Sequence, residues 1–140
     1  MKRYVAWVCT NARRGRARGV QEAALQRYAE RHNGHIVRLW RTSGAPDCFD
    51  HRLARELLLA YVKENAASID GILFYRLDRA ARTIAELKEL VRLEVEHGVR
   101  LIFVAEPYEN KPAARLERRF LTGLLDVFSG PSAEQSEQEP

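Results

Sequence analysis

A carboxylate and two arginines follow an apolar segment near the middle of the chain. Ile72 to Tyr75 is a short apolar run typical of a buried strand, and Asp78, Arg79 and Arg82 come shortly after it. If a helix begins at this turn, the two arginines lie on one face, because residues three apart are neighbours on a helix. Two guanidinium groups oriented by a carboxylate are well suited to binding phosphoryl oxygens. The segment therefore predicts a phosphate-binding site at the end of a strand.

A nucleophile is available at the end of the first apolar segment, where residues 4–8 are followed by Cys9 and Thr10. Ligands of parallel sheets bind at the carboxyl ends of the strands, so we expect Cys9 and the Asp78–Arg79 turn to share one site. Free cysteines are, however, often buried as small apolar side chains. Trp7 alternates with Cys9 along the strand, and its bulk indicates packing on that face. Cys9 is thus either a nucleophile or a core residue.

These two segments resemble the catalytic domain of the serine recombinases, the resolvases and invertases. That family has Tyr-x-Leu-Asp-Arg-x-x-Arg at the end of a strand, and residues 75–82 match it in full. It has Tyr-x-Arg-Val-Ser-Thr at the end of its first strand, where this chain has Trp7 for the arginine and Cys9 for the serine. The resemblance extends over roughly residues 3 to 128 and implies a resolvase-like fold.

The resemblance also implies a chemistry and a role for each matched residue. In the family, the serine attacks a DNA phosphodiester and forms a covalent link to the 5′-phosphate, without a metal or a cofactor. Carried over to this chain, Cys9 is the expected nucleophile, and Arg79 and Arg82 bind the phosphoryl oxygens. Asp78 orients the two arginines, and Gln21 positions the phosphate.

Several departures from the family pattern weaken this expectation. Trp7 removes one active-site arginine, and a second family arginine maps near His51. Losing one cation that stabilises the transition state costs on the order of 10²-fold in rate. The long helix that carries DNA-binding segments in the family is interrupted by Gly130-Pro131, and we expect no DNA-reading domain after it. We therefore expect a divergent recombinase-like domain that is impaired in strand exchange.

Positive charge is concentrated near Cys9. The formal net charge is +4, and the last ten residues hold three Glu and no Lys or Arg, so residues 1–130 carry +7. Residues 13–19 contain four arginines and two glycines and are expected to form a mobile cationic loop. Such a loop predicts weak, non-specific contact with the DNA backbone, or else only a solvated surface. The arginines concerned are Arg13, Arg14, Arg16 and Arg18.

Strand-like and helix-like periods alternate along the chain. Strands are expected at 3–9, 35–41, 69–75 and 99–105, and helices at 20–32, 51–66, 80–97 and 112–128. The apolar stripe expected for the 51–66 helix is Leu53, Leu57, Leu58 and Tyr61. The stripe expected for the 80–97 helix is Ile84, Leu87, Val91 and Val95. This alternation predicts an α/β fold with three layers, in which helices cover both faces of a four-stranded, mainly parallel sheet.

The last predicted helix carries one apolar stripe, made of Leu116, Phe120, Leu124 and Val127. In the resembled family the corresponding helix joins subunits, which implies a homo-oligomer. The alternative is that the stripe packs on the sheet of its own chain.

Composition limits the setting of the protein. The 140 residues suggest one domain over 1–130 and a disordered acidic tail over 131–140. No apolar run is long enough to span a membrane, and no signal peptide is recognisable. Two cysteines without an export signal indicate a cytoplasmic protein. The four histidines lack a ligand set, so we expect no metal site.

Three other functions stay open on the sequence alone. The domain could be an active strand-transfer enzyme that uses Cys9, or a non-enzymatic oligomerisation or regulatory protein. A cysteine phosphatase is the third, because those enzymes also place Val-Cys at the end of a first strand. Their phosphate loop is Cys-x₅-Arg, however, and the required position here is Gly15, with Arg14 one residue early and Arg16 one residue late.

Overall fold

A four-stranded parallel sheet forms the centre of the protein. The computed structural model describes residues 1–10, 15–43 and 49–124. The strands are β1 (Lys2–Thr10), β2 (Gly34–Ser43), β3 (Gly71–Phe74) and β4 (Arg100–Phe103), in the order β2-β1-β3-β4. Every neighbouring pair is parallel. The expected α/β architecture is therefore confirmed.

Helices cover both faces of this sheet. They are α1 (Gly15–Arg31), α2 (Phe49–Asn65), α3 (Leu77–Ala80), α4 (Ile84–His97) and α5 (112–124). Alternate residues of β1 point to opposite faces. Val5, Trp7 and Cys9 pack in the core beneath α2, α3 and α4, whereas Tyr4, Ala6 and Val8 pack against α1. The strand that carries Cys9 is thus buried on both sides.

The arginine-rich segment differs from its expected conformation. Residues 13–19 were predicted as a loop, but the backbone from Gly15 onward already belongs to α1. Arginine and alanine are good helix formers, and two glycines do not outweigh them once the helix packs on the sheet. Arg16 and Arg18 are therefore on the first turn of a helix, while Arg13 and Arg14 lie outside the described residues.

The predicted helix 80–97 begins later than expected, at Ile84, and a separate short helix precedes it. The four-residue α3 ends at Ala80, and Ala81 is extended, with φ −150° and ψ 134°. The next helix begins anew at Thr83, whose hydroxyl accepts a hydrogen bond from the Glu86 amide (3.1 Å), while the Glu86 carboxylate accepts one from the Arg82 amide (2.8 Å). This reciprocal capping stabilises a helix start and explains the break.

The apolar faces of two helices also differ from the predicted ones. In α4 the buried residues are Leu90, Val91, Leu93 and Glu94, and the predicted stripe residues Ile84 and Val95 are exposed. In α2 the predicted stripe residues Leu53 and Leu57 are exposed. The helices are rotated relative to the prediction because polar residues take part in their buried faces.

Side chains occupy the outer edge of β4. The Leu101 amide donates to the Glu94 carboxylate (3.1 Å), and the Phe103 amide donates to the side-chain oxygen of Asn110 (2.6 Å). The Asn110 amide nitrogen in turn donates to the Phe103 carbonyl (2.9 Å). The Asn110 side chain thereby makes the two hydrogen bonds to Phe103 that a peptide group of a neighbouring strand would otherwise make.

None of the helices in the described ranges combines the length and the apolar composition that crossing a membrane would require.

Candidate functional site

Cys9 lies in the core of the protein. Its residue is 2% exposed, and the neighbouring Trp7 on the same face of β1 is 1% exposed. The Trp7 indole nitrogen donates to the Arg79 carbonyl (3.1 Å), which joins β1 to the turn of the Asp78–Arg79 motif. The indole therefore packs between β1 and this turn, at the residue that the sequence resemblance aligns with a family arginine.

The polar neighbour of Cys9 is an imidazole from α2. The Cys9 Sγ lies 3.8 Å from His51 Nδ1, and the Thr42 hydroxyl lies 3.2 Å from the same nitrogen. The Trp7 ring meets the His51 ring edge to face, with centroids 5.6 Å apart. His51 and Thr42 are both buried. The end of β1 therefore carries a closed cluster of Cys9, His51 and Thr42 covered by Trp7.

Burial sets the charge of this cluster. Desolvation lowers the pKa of His51, the Glu86 carboxylate opposes this effect, and the charges of Arg55 and Arg82 add to the lowering. The neutral imidazole is therefore favoured at neutral pH. Because Thr42 is closer than Cys9 to His51 Nδ1, the threonine hydroxyl competes with the thiol for this nitrogen. The thiol consequently has a weak and shared proton acceptor.

Arg55 connects the helices around this cluster. Its guanidinium donates to the Ala80 carbonyl and to the Glu86 carbonyl, both at 2.7 Å, and ion-pairs with the carboxylates of Glu86 (3.8 Å) and Glu89 (3.6 Å). It is buried in α2. Sequence reasoning missed Arg55, Thr42 and Glu86. Of these three, only Glu86 could have been identified from the sequence, because Thr83-x-x-Glu86 is a capping-box pattern.

The structure separates the two arginines of the Asp78–Arg79–Arg82 motif. They were expected on one face of a first helical turn, but Arg79 belongs to α3 and Arg82 lies in the extended link before α4. Asp78 is largely exposed, and its carboxylate lies 4.0 Å from Arg76 Nε, so its ion-pair partner is Arg76 rather than Arg79 or Arg82. Reciprocal capping at Thr83 and Glu86 ends α3 early and causes this separation.

Arg79 and Arg82 differ in their surroundings. The Arg79 side chain is half-buried, and its Nε has no hydrogen-bond partner among the described residues. Arg82 is exposed, and its charge acts on His51, which places it within electrostatic range of the Cys9 cluster. Of the two, Arg82 is the one whose charge acts on His51.

The remaining predicted site residues are distributed as follows. Gln21 is buried on α1, and its side-chain oxygen has no hydrogen-bond partner in the described part of the chain. The side chains of Arg16 and Arg18, and all of Arg13 and Arg14, fall outside the described residues. So does Cys48, the second cysteine. Within the described ranges, no group of three or more His, Cys, Asp or Glu side chains is arranged to hold a metal ion.

The structure of the chain is similar to solved recombinase domains. The N-terminal catalytic domain of TP901-1 integrase superimposes with a TM-score of 0.72 at 19% identity, covering 90% of this chain and 95% of that one. A resolvase family site-specific recombinase from Streptococcus pneumoniae gives 0.72 at 15% identity, covering 99% and 100%. The C-terminal catalytic domain of ISC1926 TnpA, an IS607-like serine recombinase, gives 0.62 at 18%, covering 91% and 83%. At these identities the similarity concerns the fold.

No curated protein sequence is significantly similar to the chain. A family match, in contrast, extends over nearly all of it: residues 10–137 match the family described as Resolvase, N terminal domain. The match begins one residue after Cys9. Together with the parallel sheet and the Leu-Asp-Arg-x-x-Arg segment, it shows that the chain belongs to the resolvase N-terminal domain family, the serine recombinase domain associated with site-specific recombination.

Proposed function

We propose that this protein is a resolvase-family domain in which the strand-exchange chemistry is lost or strongly reduced. The observation that supports this most directly is the burial of Cys9, which is 2% exposed beneath Trp7. Nucleophilic attack on a phosphodiester requires an accessible, activated group in line with the leaving oxygen. A thiol enclosed by Trp7, His51 and Thr42 meets neither condition in this conformation.

The arrangement of charges supports the same proposal. The family's arginine beside the nucleophile is replaced by Trp7, and Asp78 pairs with Arg76 instead of orienting Arg79. Electrostatic stabilisation of a transferring phosphoryl group depends on cations held around it in advance. Of the two arginines of the motif, only Arg82 acts on the charge of His51, so the expected set of phosphate-binding cations is incomplete.

What the domain keeps, in this proposal, is contact with DNA and self-association. The arginines of residues 13–18 and the positive charge of residues 1–130 support weak, non-specific contact with the DNA backbone. Apolar side chains exposed along α5 support a homo-oligomer. They are Leu116, Phe120, Leu121 and Leu124, on the side away from buried Ala114, Arg118 and Thr122.

A second candidate is an active recombinase that uses the thiol of Cys9. The contact that favours it is the 3.8 Å distance between Cys9 Sγ and His51 Nδ1, because a neutral imidazole is able to accept the thiol proton. This activity requires Trp7 and the cluster to open and expose Cys9. The two candidates therefore differ in the accessibility of one thiol.

Thiol labelling combined with a plasmid assay distinguishes them. In a Cys48→Ser background, the folded protein is treated with iodoacetamide, and the modification of Cys9 is followed by mass spectrometry. We expect labelling on the order of 100-fold slower than in urea, since a buried thiol reacts only through local opening. Trp7→Ala, which uncovers the thiol, is the positive control and is expected to label faster.

The plasmid assay looks for a covalent protein–DNA adduct on supercoiled DNA. We expect none for the parent protein. Rapid labelling of Cys9, together with an adduct that disappears in Cys9→Ala, would contradict the proposal and establish a thiol-dependent recombinase.

A further inference from the structure

A groove lies between α1 and the β3–β4 side of the sheet, on the face opposite Cys9. Its volume is about 300 Å³, which is the lower end of the range for small-ligand sites. Two arginines, Arg27 and Arg31, and three aromatic rings, those of Tyr28, His32 and Tyr75, distinguish its lining. Val104 also lines it. None of the described residues that line it is acidic.

The groove carries positive charge without a matching negative charge. Arg27 and Arg31 are four residues apart, so they lie on the same face of α1. Both are exposed, and neither has an ion-pair partner in the part of the chain that the structure describes. Arg100, at the start of β4, opposes the burial-driven rise in the pKa of Tyr28, so a third cation acts on this region. An anionic ligand would neutralise these charges.

The aromatic side chains of the groove are held in place before any ligand binds. The His32 ring lies flat on Tyr28, with centroids 3.9 Å apart and planes 18° apart. Its Nδ1–H donates to the Tyr28 carbonyl (2.8 Å), which fixes the orientation of the ring. Because His32 is exposed, the ring face away from Tyr28 is open to solvent. Tyr28 in turn meets the buried Tyr4 edge to face, 6.0 Å away.

Tyr75 supplies a further ring from the opposite wall. It follows β3, and its carbonyl accepts a hydrogen bond from the Ala105 amide (2.9 Å), which holds its backbone beside β4. It is half-buried, and its hydroxyl has no partner among the described residues. The groove thus combines flat apolar surfaces, free hydroxyl groups and unpaired arginines within one small volume.

We propose that this groove binds an unpaired nucleotide of a nucleic-acid strand, with its phosphate on Arg27 and Arg31 and its base against the aromatic rings. Proteins that bind single strands combine a cationic track for the backbone with aromatic faces for the bases, and this combination tolerates any sequence. A free mononucleotide shares the same chemistry. The site lies on the face of the sheet opposite Cys9 and does not depend on whether the domain exchanges strands.

The test measures binding of a short fluorescein-labelled oligothymidine by anisotropy over a range of salt concentrations. Arg27→Ala/Arg31→Ala is compared with Arg52→Ala/Arg92→Ala, which removes two exposed arginines from α2 and α4 and gives the same net charge. The salt slope is the steepness with which the logarithm of the binding constant falls with the logarithm of the salt concentration. Each phosphate contact with a single strand contributes about 0.7 to this slope, so losing two contacts in the groove lowers it by about 1.4. We expect about tenfold weaker binding for the groove variant, and values close to the parent for the control.

Stacking is tested separately with Tyr75→Ala and His32→Ala, each expected to weaken binding about tenfold, since base–aromatic stacking is lost. Circular dichroism verifies that each variant is folded. Equal losses in the two double-arginine variants, or no loss in the two aromatic variants, would overturn the proposal.

Competition separates the sources of the ligand. An unlabelled duplex of the same length should compete poorly, because its bases are already stacked and paired. Equal competition by the duplex overturns the assignment to an unpaired nucleotide. If thymidine monophosphate displaces the oligonucleotide at the same concentration, the assignment to a nucleic-acid strand is wrong and the ligand is a mononucleotide. None of these readouts involves the covalent adduct that tests the proposed function.

Discussion

The indole nitrogen of Trp7 donates a hydrogen bond to the carbonyl of Arg79 at 3.1 Å. Trp7 is the residue that the sequence resemblance aligns with a family arginine, and Arg79 belongs to the Leu-Asp-Arg-x-x-Arg segment. The Trp7 side chain thus fixes the backbone of that segment. Trp7 is also buried in the core, so it contributes to the packing of the fold.

This relationship leads to a prediction for two substitutions of Trp7. Trp7→Phe keeps most of the apolar volume but removes the hydrogen bond, and is expected to lower the free energy of unfolding by about 1 kcal/mol. Trp7→Ala leaves a cavity and should cost about 3–5 kcal/mol. Urea unfolding measures both values. Equal effects would mean that the indole's volume contributes little and would contradict its role in the core.

Arg55 is predicted to be the most important polar residue for stability around the site. Arg55→Ala leaves the Ala80 carbonyl without its side-chain donor and removes the additional donor of the Glu86 carbonyl, and should lower the free energy of unfolding by about 2–4 kcal/mol. Arg55→Lys should recover only part of this loss. The ammonium group keeps the positive charge but lacks the fork that reaches both carbonyls.

The matched control for Arg55 is Arg52→Ala, three residues earlier on α2 and exposed. Its effect should stay within about 0.5 kcal/mol. Similar losses in the two alanine variants, measured by urea unfolding, would show that the bonds of Arg55 are not what stabilises this corner.

His51 predicts a dependence of stability on pH. Its folded-state pKa is lowered by burial, so the unfolded state binds a proton that the folded state excludes. The contribution of His51 is complete above its ordinary pKa of about 6.5 and is lost as the pH falls toward the folded-state value. The slope attributable to this residue is at most about 1.4 kcal/mol per pH unit.

Urea unfolding from pH 7.5 downward measures this dependence in the parent and in His51→Gln. The variant should show a shallower decline on acidification, and His32→Gln, an exposed position just after α1, is the control. A decline as steep in His51→Gln as in the parent would exclude His51 as its cause.

The apolar side chains of α5 predict self-association. Phe120 is 67% exposed, and Leu116, Leu121 and Leu124 are exposed beside it, an arrangement that marks interaction surfaces when the patch is contiguous. Phe120→Asp should shift sedimentation toward the monomer. Leu57→Asp, at an exposed apolar position on α2, is the control. A parent protein that is a monomer at high concentration would rule the interface out.

The sequence was sufficient to predict the sheet and the order of its elements, because strand and helix periods alternate clearly and the 75–82 motif is specific. It was insufficient for α2. The buried residues of this helix include His51, Arg55, Leu58 and Val62, and two polar members concealed the stripe. Apolar periodicity cannot identify a helix face whose polar residues bond to carbonyls and to another buried side chain.

The candidate site was predicted only in part. The spacing of Asp78, Arg79 and Arg82 suggested a shared helix face, whereas the capping by Thr83 and Glu86 starts a new helix after Arg82. The contact between Cys9 and His51 joins residues 42 positions apart, and no local pattern in the sequence encodes it. The packing of Trp7 was expected from the alternation along β1, whereas the burial of Cys9 was left open. The bond from Trp7 to Arg79 depends on how β1 and β3 pair.

Glu94 and Asn110 give the two borders of the sheet unequal properties. Their side chains occupy outward amides of β4, so a second chain cannot extend the ladder there without displacing them. Pairing of copies through β4 is therefore opposed, and β2 is the other border of the sheet. A pairing of β2 with β2 joins two copies, and a third can then add only by displacing Glu94 and Asn110. The occupied border of β4 thus opposes open-ended fibre growth through the sheet.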